Sequence, residues 1–166
     1  MIYIGLPQWS HPKWVRLGIT SLADYARHFN CVEGNTTLYA LPKAEIVARW
    51  YEQTHDNFRF CFKFPATISH QAALRHCDDL SHEFFTRLAP LETRIGQYWL
   101  QLPATFGPGD LPALWHFLDT LPTPIHLWRR STASGVFRQR GRRKGAQSRA
   151  ASTSRESRHP RQPPGA

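Results

Sequence analysis

The chain has 166 residues, enough for one ordinary domain, and its 41% apolar and 13% aromatic content excludes a wholly disordered protein. Its formal charge of +9 points to a polyanion partner only until it is divided by position: residues 1–126 carry ten Lys/Arg against eleven Asp/Glu, and residues 127–166 carry eleven against one. Three widely spaced cysteines with no C-x-x-C pair exclude a disulfide framework or a zinc ribbon, and with no leader-like N-terminus or long apolar stretch the expected setting is cytoplasmic, with no membrane partner.

Along the chain, apolar periodicity alternates between short runs and helical stripes, the pattern of successive βα units. Four are expected. "IYIGL" reads as the first strand, followed by a loop holding Trp9 and Trp14. A helix then starts after Ser21, whose hydroxyl caps it while Asp24 sits three residues on, and Leu22, Tyr25, Ala26 and Phe29 form its inner stripe. The second strand, "CVEGN", leads through a loop ending at Pro42 to a helix with Ile46, Val47 and Trp50 inward. In "FRFCFKF" Phe58, Phe60, Phe62 and Phe64 alternate with Arg59, Cys61 and Lys63, a strand by its period of two. Its helix is expected at "DLSHEFFTRLAPL", with Leu80, Phe84, Leu88 and Leu91 on one side. The fourth unit is "IGQYWLQL", then "PATFGPG", then a helix capped by Asp110 with Leu111, Leu114, Trp115 and Leu118 inward.

Four such units make either a small open sheet or part of a larger structure, because parallel strands need both faces covered. The 29 residues after Phe137 contain no Val, Ile, Leu, Met, Phe, Trp, Tyr or Cys and cannot supply a core. The expected organisation is therefore an α/β domain over 1–125 and a basic, disordered tail over 126–166.

Ligands of parallel α/β proteins gather at the carboxyl ends of the strands, where loops and helix N-termini converge. That rule places Trp9, Glu33, Asn35, Thr37, Tyr39, Lys63, His70 and Gln101 on one rim. Glu33 is a candidate general base or acceptor for a substrate hydroxyl, Lys63 a source of positive charge, and His70 a group titrating near neutrality. Trp9, Asn35, Thr37, Tyr39 and Gln101 are candidate ligand-binding residues. In the competing structural reading Glu33 pairs with Lys63, Asn35 and Thr37 satisfy loop backbone, and Trp9, Trp14 and Tyr39 pack.

"HQAALRHCDD" contains many metal-ligand types. A spacing of six nevertheless puts His70 and His76 on different sides of a helix, so no metal site is expected there, and Asp78 or Asp79 reads as a helix cap. Neither G-x-G-x-x-G nor a Walker pattern occurs, and no cofactor is implied.

"GLPQWSHPKW", "FNCVEGNTTLYALP", "RWYEQT", "FRFCFKFPATISH" and "IGQYWLQLPATF", in this order, resemble the YecE-like family, domain of unknown function 72, over about residues 1–125. Glu33, Asn35, Thr37 and Tyr39 align with its E-x-N-x-T-x-Y type motif, Lys63 with its strand-three lysine, His70 with its T-H pair, and Gln101 and Pro103 with its Q-x-P. Gly34, Ser69 and Pro7-Gln8 depart from the pattern. The resemblance implies a TIM-barrel-type (β/α) fold, of which four units would be the N-terminal half, with a rim pocket for an unknown small molecule and no established activity.

In that family a strand ending in a motif like E-V-R-H-P follows, where this chain reads "LWRRSTASGVFR". One allowed back-translation of that stretch, read one base later, encodes Y-G-V-E-V-R-H-P-A-F-F. The expectation is a truncated family member with an out-of-frame tail. Two partner readings stand beside it. The tail is a candidate phosphate-binding arm through Arg129, Arg130, Arg138, Arg140, Arg142, Arg143 and Lys144. The unclosed sheet is a candidate surface for self-association.

Overall fold

The computed structural model describes residues 1–122 and the backbone of Leu127–Ser131. Within them the strands β1 (Gly5–Leu6), β2 (Cys31–Gly34), β3 (Arg59–Lys63), β4 (Ile95–Leu102) and β5 (Leu127–Ser131) form one sheet in the order β1-β2-β3-β4-β5, every neighbouring pair parallel. Helices α1 (Leu22–His28), α3 (Ala44–Glu52), α4 (Asp78–Leu88) and α5 (Leu111–Thr120) lie in the successive connections, and a short helix α2 (Thr36–Tyr39) sits in the loop after β2. A strand order that never reverses puts all same-handed crossovers on one face, the singly wound arrangement of a barrel wall rather than a doubly wound sheet.

The phenylalanine run of β3 shows how the sheet holds its helices. Phe58, Phe60, Phe62 and Phe64 are all fully buried. Phe58 meets Tyr25 of α1 at 6.3 Å, Phe60 and Phe62 stack on Trp50 of α3 at 6.2 and 5.7 Å, and Phe64 meets Phe84 of α4 and Phe117 of α5 at 5.3 and 5.6 Å. One strand with a period of two thus keys four helices. At Gly34 of β2 an added Cβ would stand 2.6 Å from the Phe62 ring, so only glycine lets that ring lie against β2.

Local signals fold largely as read. Ser21 Oγ accepts from the Asp24 N–H at 3.1 Å, and Asp24 Oδ2 accepts in return from the Ser21 N–H at 3.2 Å and the Thr20 hydroxyl at 2.8 Å, closing a capping box on α1. Several expectations are corrected. The first strand pairs only over Gly5–Leu6; Ile2 and Ile4 are exposed, and Asn30 takes the place of a ladder rung by accepting from the Ile4 N–H at 2.7 Å and donating to the Ile2 carbonyl at 2.9 Å.

In α4 the inward positions are Ser81, Phe84 and Leu88, and Leu80 is exposed; in α5 they are Leu114 and Phe117, and Trp115 is 53% exposed. In both helices steps of three and four residues from the deepest side chain set the face, and the hydrophobic residue beside the stripe loses its place. Asp110 caps the turn Pro108–Asp110 by accepting from the Gly107 N–H at 2.9 Å rather than capping α5, and Asp78 and Asp79 occupy the first turn of α4 behind an N-cap at Cys77. The stretch from 70 to 76 is not one continuous helix: a π-helical turn over Thr67–Gln71 holds His70, and Ala73, Leu74 and His76 then adopt left-handed backbone.

At the far edge, Tyr98–Leu102 pairs with Leu127–Ser131, five residues that lie beyond position 125. Residues 123–125 of the expected domain, and 126 and 132–166 of the expected tail, lie outside the described residues.

Candidate functional site

Strand alternation divides the side chains between two faces. With the phenylalanines of β3 turned to the helices, Cys31 and Glu33 of β2, Cys61 and Lys63 of β3, and Gln97, Trp99 and Gln101 of β4 fall on the other face. The register aligns Glu33 with Cys61, Cys61 with Gln97 and Lys63 with Trp99. In a closed barrel this face points inward; here it is partly open.

Glu33 and Lys63 meet there. Lys63 Nζ lies 3.0 Å from Glu33 Oε1, with the side chains 14% and 29% exposed respectively. Lys63 ends β3, and Glu33 is one residue from the end of β2, so the pair stands at the carboxyl rim. For a pair withdrawn this far from water, desolvation offsets much of the attraction, so its net contribution to stability is small. Either charge left alone there would be costly, so a bound molecule must supply a new partner to the group it separates.

The other rim candidates divide into supports and open groups. Thr37 is fully buried, and its hydroxyl donates to the Lys63 carbonyl at 2.7 Å and lies 3.1 Å from that of Gly34, which fastens α2 to the end of β3. Trp9 packs edge-on against Trp50 at 5.3 Å and anchors the loop after β1 to α3. Asn35 Nδ2 donates to the Pro7 carbonyl at 2.8 Å, holding the first and second rim loops together, while its Oδ1 is buried with no partner among the described residues.

Tyr39 is 83% exposed and lines a cleft of about 210 Å³ with Leu38, Leu41, Pro65, Thr67 and Gln71. That cleft also touches Leu80 and Phe84 of α4 and therefore lies on the helix side of the rim, away from the charged pair. Gln101 lies on the same sheet face as the pair, at the carboxyl end of β4.

His70 is exposed on the π turn, its Nδ1 2.7 Å from Ser69 Oγ, and Ser69 Oγ also reaches the Pro65 carbonyl at 3.3 Å. With Nδ1 engaged, acid–base chemistry at His70 would run through Nε2. No contact among the described residues ties His70 to Glu33 or Lys63, so the structure joins two of the three candidate catalytic groups directly.

The same face holds residues that sequence reasoning passed over. Cys31 Sγ lies 3.6 Å from Cys61 Sγ, and Gln97 hydrogen-bonds Cys61. The alternation in "CVEG" and "FRFCFKF" already put each cysteine on the face of its strand's charged residue; their meeting required the register. Among the described residues there is no group of three or more His, Cys, Asp or Glu able to hold a metal ion. Among them, too, no helix is long and apolar enough to cross a membrane. Of the candidate phosphate contacts, Arg129 and Arg130 fall on the backbone of β5, and Arg138, Arg140, Arg142, Arg143 and Lys144 lie outside the described residues.

A singly wound parallel sheet with its helices on one face and a charged pair at the strand carboxyl ends defines a TIM-barrel-type α/β protein. The chain matches the family described as "Protein of unknown function DUF72" over residues 3–147, and it belongs to that family. It is 85% identical over 122 residues to the UPF0759 protein YecE of Escherichia coli strain K12, and equally to that of Escherichia coli O157:H7, each match covering 74% of this chain and 45% of the relative. The chain thus spans just under half the length of these curated relatives.

Among solved structures, a DUF72 family protein from Enterococcus faecalis superposes with a TM-score of 0.67 at 27% identity, covering 78% of this chain and 50% of that one. A DUF72 family protein from Thermotoga maritima shares the fold, with a TM-score of 0.63 at 20% identity over 79% of this chain and 55% of that one.

Proposed function

We propose that the rim of β2 and β3 is the polar half of a small-molecule site, binding or enzyme-like, centred on Glu33 and Lys63. The observation that carries this is the ion pair itself. It sits on the open face of the sheet, at the carboxyl ends of its strands, where its contribution to folding is small. Glu33 would accept from a ligand hydroxyl or take a proton, and Lys63 would hold an anionic or carbonyl oxygen. The partnerless Oδ1 of Asn35 supplies a further acceptor on the adjoining loop, and Gln101 lies on the same face. His70 is the reserve acid or base, brought in by a ligand that spans to the π turn.

The test is ligand-induced stabilisation in a full-length relative carrying the same residues. Glu33→Gln and Lys63→Met should each abolish the rise in melting temperature that the ligand gives the parent protein. An equal rise in parent and variants would overturn the reading.

The out-of-frame reading of the tail is part of this proposal: the present chain would carry half of the rim, and the complete site would belong to the intact relative. Sequencing the gene across codons 120–130 and beyond tests it, and the idea fails if the alternative frame lacks further barrel strands. The charge of residues 127–166 favours one second reading, a phosphate-contacting arm. DNA binding that falls steeply with salt, and is lost with residues 127–166 while 1–126 stays folded, would support it.

A further inference from the structure

We propose that Cys31 and Cys61 form a reversible, peroxide-responsive dithiol site on the open face of the sheet. The two thiols stand on adjacent strands with their sulfurs 3.6 Å apart, Cys31 half-buried and Cys61 buried. They are diagonal neighbours, since Cys31 is opposite Arg59 and Cys61 opposite Glu33, so the side chains lean along their strands to meet. Their surroundings make them unequal. The hydrogen bond from Cys61 brings the Cys31 thiol down to about 7 against the opposing effect of burial, while the same contact, burial and the nearby Glu33 carboxylate push Cys61 up.

The charged groups on the two strands leave this contact as the main device. Lys63 is paired with Glu33, and the Arg59 guanidinium donates to the carbonyls of Asp56 and Phe58 at 2.5 and 2.8 Å. From the neighbouring elements come Gln97 of β4, bonded to Cys61, and Tyr25 of α1, whose hydroxyl donates to the Cys31 carbonyl at 2.9 Å. Cys31 is thus a half-buried thiol, partly ionised near neutral pH, with a protonated thiol 3.6 Å away, the pairing of an attacking and a resolving cysteine.

Hydrogen peroxide supplies the oxidant. The Cys31 thiolate attacks one peroxide oxygen, the O–O bond breaks, and hydroxide leaves and is protonated to water, giving a sulfenic acid on Cys31. The Cys61 sulfur, losing its proton, then attacks the Cys31 sulfur; the S–O bond breaks, a second water leaves, and the S–S bond forms. Two thiols lose two electrons and two protons, and one peroxide becomes two waters. Diagonal positions stand farther apart than an unstrained bridge prefers, so forming one requires the backbone to shift along the strands. That strain makes it readily reducible by small thiols, a switch rather than a staple. It forms directly below the Glu33–Lys63 pair.

The test treats the full chain, undenatured at pH 7, with hydrogen peroxide, quenches with N-ethylmaleimide, and maps tryptic peptides by mass spectrometry. The expected product joins peptide 28–43 to peptide 60–63 with the loss of two hydrogens, leaves Cys77 alkylated, and reverts with reduced glutathione. Without peroxide, iodoacetamide should modify Cys31 at pH 7 about tenfold or more faster than Cys77, whose thiol burial pushes up, with a midpoint near pH 7. Cys61→Ala, which removes both the sulfur and the donor, should remove the bridge, slow labelling of Cys31 at pH 7 and let peroxide carry Cys31 to the sulfinic acid. An unmodified pair, a bridge to Cys77 or between chains, or a labelling midpoint in the ordinary thiol range would overturn the proposal. The last measurement needs only the parent protein and decides the matter even if Cys61→Ala does not fold.

Discussion

Thr37 separates the residues that bind from those that position. In the sequence it stands in a polar run with Glu33, Asn35 and Tyr39, and residue type alone offers all four to a ligand. In the structure its buried hydroxyl is committed to the Lys63 carbonyl, and its part in any chemistry is to fix where Lys63 begins its side chain. Thr37→Val should cost about 1–3 kcal/mol through the carbonyl left unpaired, seen as a lower urea midpoint with an unchanged slope.

Arg94 makes the same point more strongly. It is 5% exposed, donates to the carbonyls of Tyr51 and Thr54 and to Asp56, and lies 3.8 Å over the Tyr51 ring. Arg94→Leu strips two carbonyls of their donor and should destabilise by about 2–4 kcal/mol in the same measurement, with no direct loss at the rim. Glu33 and Lys63 were readable from strand alternation in two separate segments. Their 3.0 Å meeting was not, because strand register is a property of the assembled sheet.

At the scale of the element, the start of α1 was fully readable, since a capping box is a local motif whose partners are three residues apart. Ser21→Ala should lower stability by about 1 kcal/mol. The Thr20 hydroxyl, followed by the Thr20 and Ser21 backbone and Ser21 hydroxyl groups, brings Asp24 down to about 2. A carboxylate lowered on folding adds stability that is present above its ordinary range and is lost as pH falls toward the folded value. The contribution of this cap should therefore fade between about pH 4 and pH 2. Circular dichroism of the parent and of Asp24→Asn checks this: the variant should start less stable at pH 7 and lose less across that window. Trp115 and Leu80 show where element-scale reading stops. Both sit beside a correct apolar stripe, and only the packed sheet decides which edge of the stripe is covered.

At the scale of the molecule, the alternation of runs and stripes made the βα repeat and its parallel sheet readable, because each unit carries its own period. The short β1 was not, since its pairing depends on what lies at the edge of the sheet. Ile2 is 81% and Ile4 64% exposed beside that edge. Edges of this kind recruit other chains, so the purified protein should associate with rising concentration in light scattering, and Ile2→Lys with Ile4→Lys should reduce it. A monomer at every concentration would count against this.

If the charged pair on the open face holds a small molecule, a bound ligand must depend on both Glu33 and Lys63. The most direct measurement is thermal shift of a full-length relative against a panel of hydroxylated carboxylic acids and sugar phosphates, run in parallel on the parent, Glu33→Gln and Lys63→Met. At least one compound should raise the parent by several degrees and leave both variants unmoved. Compounds that stabilise all three equally, or none that distinguishes the parent, would contradict this reading.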